Sequence, residues 1–87
     1  EDKSTNDGNS DLLLHPIAAP TGQIRATRQG TTIGLWYRAN GTAAWQLLRS
    51  HVRPDLGPEL QVGMNVFSWS PTVDVGASFD WITFTRP

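Results

Sequence analysis

The stretch Gln23-Ile24-Arg25-Ala26-Thr27-Arg28-Gln29-Gly30-Thr31-Thr32-Ile33-Gly34-Leu35-Trp36-Tyr37-Arg38 decides the fold. Side chains of an extended chain alternate between two faces. Before Gly30, Ile24 and Ala26 fall on one side, with Arg25 and Thr27 on the other. After it, Ile33, Leu35 and Tyr37 share a side, opposed by Thr32, Gly34 and Trp36. A two-residue turn at Gln29-Gly30 sets Ala26 against Ile33 and Ile24 against Leu35, so the apolar sides of both arms coincide. Turn and pattern therefore agree on an antiparallel hairpin.

Downstream, Asn40-Gly41 is a second hairpin turn, and the chain returns as a strand over residues 43–49. A strict two-residue loop puts Leu35 opposite Gln46 and wastes a core position. A three-residue loop with a bulge puts Leu35 opposite Leu47 and Tyr37 opposite Trp45, which is the preferred register. Residues 51–58, with two prolines and a glycine, read as loop. Residues 60–69 alternate as a strand, with Val62, Met64 and Val66 against Asn65, Phe67 and Trp69. After a loop over 70–76, residues 77–85 form the last strand. Its large side chains change face near Trp81, which calls for a bulge or for burial on both sides. Upstream, residues 1–11 are almost wholly polar, a flexible lead-in or a polar edge strand. Leu12-Leu13-Leu14 is closed by His15-Pro16, and residues 18–22 read as loop. No segment carries a sustained helical period.

The chain has 87 residues, a single domain spanning 1–87, with a thin core that ordinarily needs reinforcement. Cysteine is absent, which excludes disulfides and thiolate metal sites. Seven basic and eight acidic residues are dispersed and give a net charge of -1. They form no positive stripe for nucleic acid. No apolar run approaches the roughly 20 residues of a membrane span. The chain starts at Glu1 rather than at an initiator methionine, which reads as a trimmed or excised polypeptide.

The order of these hairpins resembles the closing strands of concanavalin A-like jelly-roll domains. The resemblance is carried by Ile24-Arg25-Ala26-Thr27-Arg28-Gln29-Gly30, by Leu35-Trp36-Tyr37-Arg38 with Ala44-Trp45-Gln46-Leu47-Leu48, by Leu60-Gln61-Val62-Gly63-Met64-Asn65-Val66, and by Ala77-Ser78-Phe79-Asp80-Trp81-Ile82-Thr83-Phe84. It is similar to the laminin-G-like accessory β-sandwich modules of secreted glycoside hydrolases. Such modules are about twice as long. The resemblance therefore implies the carboxyl-terminal half of a sandwich, completed by another segment or a second copy, or a family variant built smaller. An unclosed sheet with apolar edges seeks a partner.

The acids Asp55, Glu59, Asp74 and Asp80 show no pairing motif, and the row of alternating acids that glucanases of this fold carry on one strand is missing, so catalysis is not expected. His15 and His51 stand isolated, without metal-ligand spacing. Asp80 reads either as a ligand-binding acid or, with more weight, as a carboxylate that fixes a turn. Asp7-Gly8-Asn9-Ser10-Asp11 places oxygens at alternate positions, as calcium loops do, but Ala18 stands where the helical calcium loop needs a bidentate acid; a solvated polar segment outweighs a looser calcium site. Asn40-Gly41-Thr42 matches the N-glycosylation pattern, and its turn role suffices to explain it. Trp45, Phe79 and Trp81 are expected in the core.

The aromatics carry the functional expectation. Sugars present apolar C–H faces that stack on flat rings, while polar neighbours read hydroxyl groups. Trp36 lies on the polar side of its strand beside Arg25, Thr27 and Arg38, and Trp69 ends the next strand on the face of Asn65. The expected protein is an all-β antiparallel sandwich, jelly-roll-like, whole or completed by a partner. Its expected role is a non-catalytic carbohydrate-binding module of an extracellular or cell-surface protein, using Trp36, Trp69, Arg25, Arg38 and Asn65. Packing of the same aromatics against other chains, a structural or assembly role, is the alternative. A glycan and a second copy are the expected partners; nucleic acid, membrane and a bound cofactor are not expected.

Overall fold

A computed structural model describes residues 1–66, 68, 70–72 and 76–86. The protein is all-β: five strands in two antiparallel sheets, with no helix among the described residues. Strands β1 (Asp2–Asn6) and β2 (Asn9–Leu13) form a two-stranded hairpin. Strands β3 (Gln23–Gln29), β4 (Thr32–Arg38) and β5 (Gln46–Val52) form a three-stranded sheet in chain order.

Residues 1–11, expected as a flexible lead-in or a polar edge strand, instead pair with the start of the leucine run as a hairpin in a sheet of its own. Asn6 faces Asn9 across a two-residue loop, with φ of 50° at Asp7 and 78° at Gly8. Positive φ at both central positions is the type I′ pattern, which Asp-Gly adopts at low cost. The oxygens that alternate over residues 7–11 are consequently divided between a turn and a paired strand. Ser10 shares a hydroxyl contact of 2.9 Å with Thr5, and Asp11 meets Arg49.

The β3–β4 hairpin forms as expected, with a register correction. Its loop is Gly30-Thr31, pairing Gln29 with Thr32, Ala26 with Leu35 and Ile24 with Tyr37. Gly30, at φ 61°, takes the first central position, where a type II′ turn demands glycine; a loop at Gln29-Gly30 would put Gln29 there. The one-residue shift of the turn moves each pairing by two positions, so the faces are preserved and the apolar sides still coincide.

The β4–β5 register departs further from expectation. Residues 39–45 form a connection, in which Asn40 Oδ1 accepts from the Thr42 amide at 3.0 Å, its hydroxyl at 2.8 Å and the Ala43 amide at 3.0 Å. This side-chain-fastened turn delays β5 until Gln46. Tyr37 then faces Gln46 and Trp36 faces Leu47, neither of which is the expected pairing. The bulge lies farther along, between Leu35 and Trp36, so that Leu35 faces Arg49. A bulge exchanges the two sides of the strand beyond it. Here it turns Arg49 and His51 to the side of Ile33 and Leu35.

That side receives the β1–β2 hairpin, and the contact between the layers is polar. Among the described residues no apolar side chain is buried, and Asp2 is the buried charged one, at 2% exposure. The expected core residues are outside it: Trp81 is 63% exposed, Phe79 is exposed, and Trp45 is half-buried beneath two arginines.

The strands expected over 60–69 and 77–85 do not form among the described residues, and their apolar side chains, Val62 and Phe84 among them, are exposed. Alternation prepares a segment for a sheet, but a ladder also needs a facing edge with free N–H and C=O groups. Consecutive large residues such as Trp81 and Ile82 need cover on both sides, which a three-stranded sheet does not provide. Phe67, Trp69 and Asp74 lie outside the described residues.

Candidate functional site

The outer side of the three-stranded sheet, away from the β1–β2 hairpin, brings together three of the side chains singled out in the sequence. Arg25 pairs with Trp36 across β3 and β4, and Arg38 pairs with Gln23 one step along the same side. Diagonal neighbours on one sheet face are within reach of long side chains. Trp36 is fixed in place: its indole Nε1 donates to Thr27 Oγ1 at 3.0 Å, and Thr27 Oγ1 donates to the Gly34 carbonyl at 3.5 Å. Gly34 makes room for this, since a Cβ there would sit 2.8 Å from both Thr27 Oγ1 and Trp36 Nε1. The ring therefore lies across Gly34, half-buried, with Thr27 holding its polar edge.

Trp45 completes the arrangement. The Arg25 guanidinium lies 4.1 Å from the Trp45 ring centroid and the Arg38 guanidinium 4.4 Å from it. Arg38 Nε also donates to Gln23 Oε1 at 2.6 Å. Each cation–π contact is worth about 0.5–1 kcal/mol at an exposed site. One indole thus contacts two cations. Sequence reasoning assigned Trp45 to the core because it set the ring opposite Tyr37. The signal available was the pair of arginines on the side opposite the apolar stripe.

The other expected site residues are not joined to this group. Asn65 is exposed on the unpaired segment 60–66, and among the described residues no hydrogen bond links it to Trp36, Arg25 or Arg38. Trp69 falls outside the described residues.

The inner side holds a second constellation, which corrects the reading of His15 and His51 as isolated. Asp2 draws both histidines together. His51 Nε2 donates to Asp2 Oδ1 at 2.7 Å, while His15 Nε2 and Arg49 Nε each stand 3.8 Å from Asp2 Oδ2. Asp2 Oδ2 and His15 Nε2 are buried without hydrogen-bond partners. Arg49 reaches on to Asp11, and Arg53 Nη1 donates to Ser4 Oγ at 2.9 Å. The two histidines approach different oxygens of one carboxylate instead of a common point, and among the described residues no three His, Cys, Asp or Glu side chains are grouped to hold a metal. The cluster is a clasp between the layers. Sequence separation hid it: Asp2 and His51 meet only because the bulge in β5 turns His51 inward.

Beyond β5, Arg53 Nε and Nη2 donate to Asp55 Oδ1 and Oδ2 at 2.8 and 2.7 Å. This two-pronged hydrogen bond holds the Asp55 carboxyl below its ordinary range and raises the Arg53 guanidinium. Arg28 donates to the carbonyls of Gly57 at 2.6 Å and Leu56 at 3.2 Å, fastening the same loop to β3. These groups are spent on structure.

No helix among the described residues is long and apolar enough to cross a membrane. Comparison with protein-family models, with curated proteins and with solved structures finds no match for this chain.

Proposed function

We propose that the protein is a non-catalytic carbohydrate-binding module of a secreted or surface protein, with its ligand seated on the outer side of the three-stranded sheet across Trp36. The single observation that carries this reading is the fixed indole. Trp36 is anchored by its Nε1 to Thr27 and laid over Gly34, with Arg25 beside it on the neighbouring strand and Arg38 on the same side of β4. A preorganised ring on the side of the sheet opposite the β1–β2 hairpin suits stacking of a pyranose, and neighbouring polar groups suit its hydroxyls. The resemblance of the hairpin order to concanavalin A-like modules supports the same reading. Single-site affinity would be micromolar to millimolar, about 4–8 kcal/mol. Calorimetric titration with soluble polysaccharides tests it. Trp36→Ala, with its strands intact by circular dichroism, abolishes binding; an unchanged affinity in that variant refutes the site.

A second reading is favoured by a different observation. Apolar side chains are exposed throughout: Ile24 at 77% on β3, and Leu60, Val62, Met64, Trp81 and Phe84 on the unpaired segments. An assembly domain that covers these side chains with its own copy or another chain accounts for them. Sedimentation separates the readings, since a folded monomer across a wide concentration range rules out self-assembly.

A further inference from the structure

We propose that the glycan is acidic, and that Arg25 and Arg38, gathered on the Trp45 ring, form the subsite for its carboxylate or sulfate groups; this rests on reading the outer sheet side as a carbohydrate site. Three observations converge on it. First, the two guanidinium groups are held on one ring, 4.1 and 4.4 Å from its centroid, so the sheet concentrates positive charge at one place. Second, among the described residues neither arginine has an acidic partner, whereas Arg49 is matched to Asp2 and Asp11, and Arg53 to Asp55. The chain carries eight acids against seven bases, so the bare pair does not follow from a shortage of carboxylates. Third, among the described residues the side-chain acceptor that Arg38 finds is the neutral Gln23 Oε1, at 2.6 Å, which orients the guanidinium without cancelling its charge.

The chemistry follows from the geometry. A guanidinium stacked on an aromatic ring uses its flat face there and keeps N–H groups in its plane for an acceptor. An oxyanion with two or more oxygens matches that fork, and a charge-assisted pair is roughly twice as strong as a neutral one. Hydroxyls of a neutral sugar leave both charges uncompensated. The neighbouring Trp36 supplies the stacking surface for a sugar ring, so ring and charge lie on one sheet side, as a uronate or a sulfated sugar requires.

The test uses the full chain with dextran, dextran sulfate, polygalacturonate and poly-glutamate, by calorimetry at low and high salt. Dextran sulfate or polygalacturonate should bind at least about tenfold more tightly than dextran, with the advantage shrinking as salt rises. Arg25→Gln with Arg38→Gln should remove that advantage, while Lys3→Gln with Arg86→Gln, which lowers net charge equally, should keep it. Equal losses in the two double variants overturn the subsite, as does dextran binding as tightly as dextran sulfate to the unaltered chain, a comparison that needs no variant to fold. Tight binding of neutral dextran through Trp36 overturns the acidic assignment alone. Capture of poly-glutamate through Arg25 and Arg38 with no polysaccharide bound overturns the glycan reading and the acidic assignment with it.

Discussion

Asp2→Ala is the substitution that most directly tests how the two layers are joined. The carboxylate is 2% exposed, accepts from His51 Nε2 at 2.7 Å, and has Arg49 Nε and His15 Nε2 at 3.8 Å. A hydrogen bond to a charged group contributes about 1.5–3 kcal/mol. Breaking a fully buried ion pair costs about 3–5 kcal/mol because the survivor is left uncompensated. Here the survivors are less severely stranded: the Arg49 side chain is 21% exposed and keeps Asp11. The expected cost is therefore nearer the hydrogen-bond figure, about 2 kcal/mol. That is a large share of the stability of a chain with no buried apolar side chain among its described residues. Urea unfolding followed by tryptophan fluorescence measures the global loss. Amide exchange locates it: the β1–β2 amides should lose protection while β3–β4 amides lose less, since the clasp holds one hairpin to the sheet. Asp2→Asn, which keeps an acceptor for His51 but no charge, should fall between the two. A change below about 0.5 kcal/mol for Asp2→Ala, the range of ordinary surface substitutions, would refute the argument that this carboxylate joins the layers.

Other perturbations follow from single contacts. Gly34→Ala places a methyl group 2.8 Å from Trp36 Nε1, so the indole must swing away; a red-shifted tryptophan emission and a loss of about 1–3 kcal/mol are expected together, and the proposed glycan site would weaken with them. Gly30→Ala forces an alanine to φ 61° and should cost about 1 kcal/mol by thermal unfolding, with the hairpin otherwise intact. The Arg53 hydrogen bond lowers the Asp55 carboxyl in the folded state, so its contribution is present above the ordinary carboxylate range and is lost as pH falls through that range towards the folded value. Unfolding midpoints measured from neutral to acid pH should therefore drop less steeply for Asp55→Asn than for the unaltered chain.

The grouping of Arg25, Trp36 and Arg38 was legible in the sequence, whereas that of Asn65 and Trp69 with them was not. Arg25, Trp36 and Arg38 share a sheet side because alternation fixes parity, and parity survives a one-residue shift of the turn that moves pairings in steps of two. Trp45 was misplaced because its position depends on how the loop at residues 39–45 is fastened, and Asn40 fastens it with a side chain that periodicity does not register. The alternation of oxygens over residues 7–11 reads mainly as a solvated polar segment and only secondarily as a calcium loop; the φ values at Asp7 and Gly8 show a hairpin turn instead.

The sequence by itself determined local matters: the antiparallel hairpin at Gly30, the division of its arms into apolar and polar sides, and the absence of any thiol chemistry. These depend on the pleat and on residue chemistry, which act over a few positions. Tertiary structure alone decided the bulge between Leu35 and Trp36, the convergence of Asp2, His15, Arg49 and His51, and which alternating segments became strands. Each is a contact between residues distant in the chain. Such contacts depend on which edges and charges actually meet, and alternation of side chains along a segment carries no record of the partner it will face.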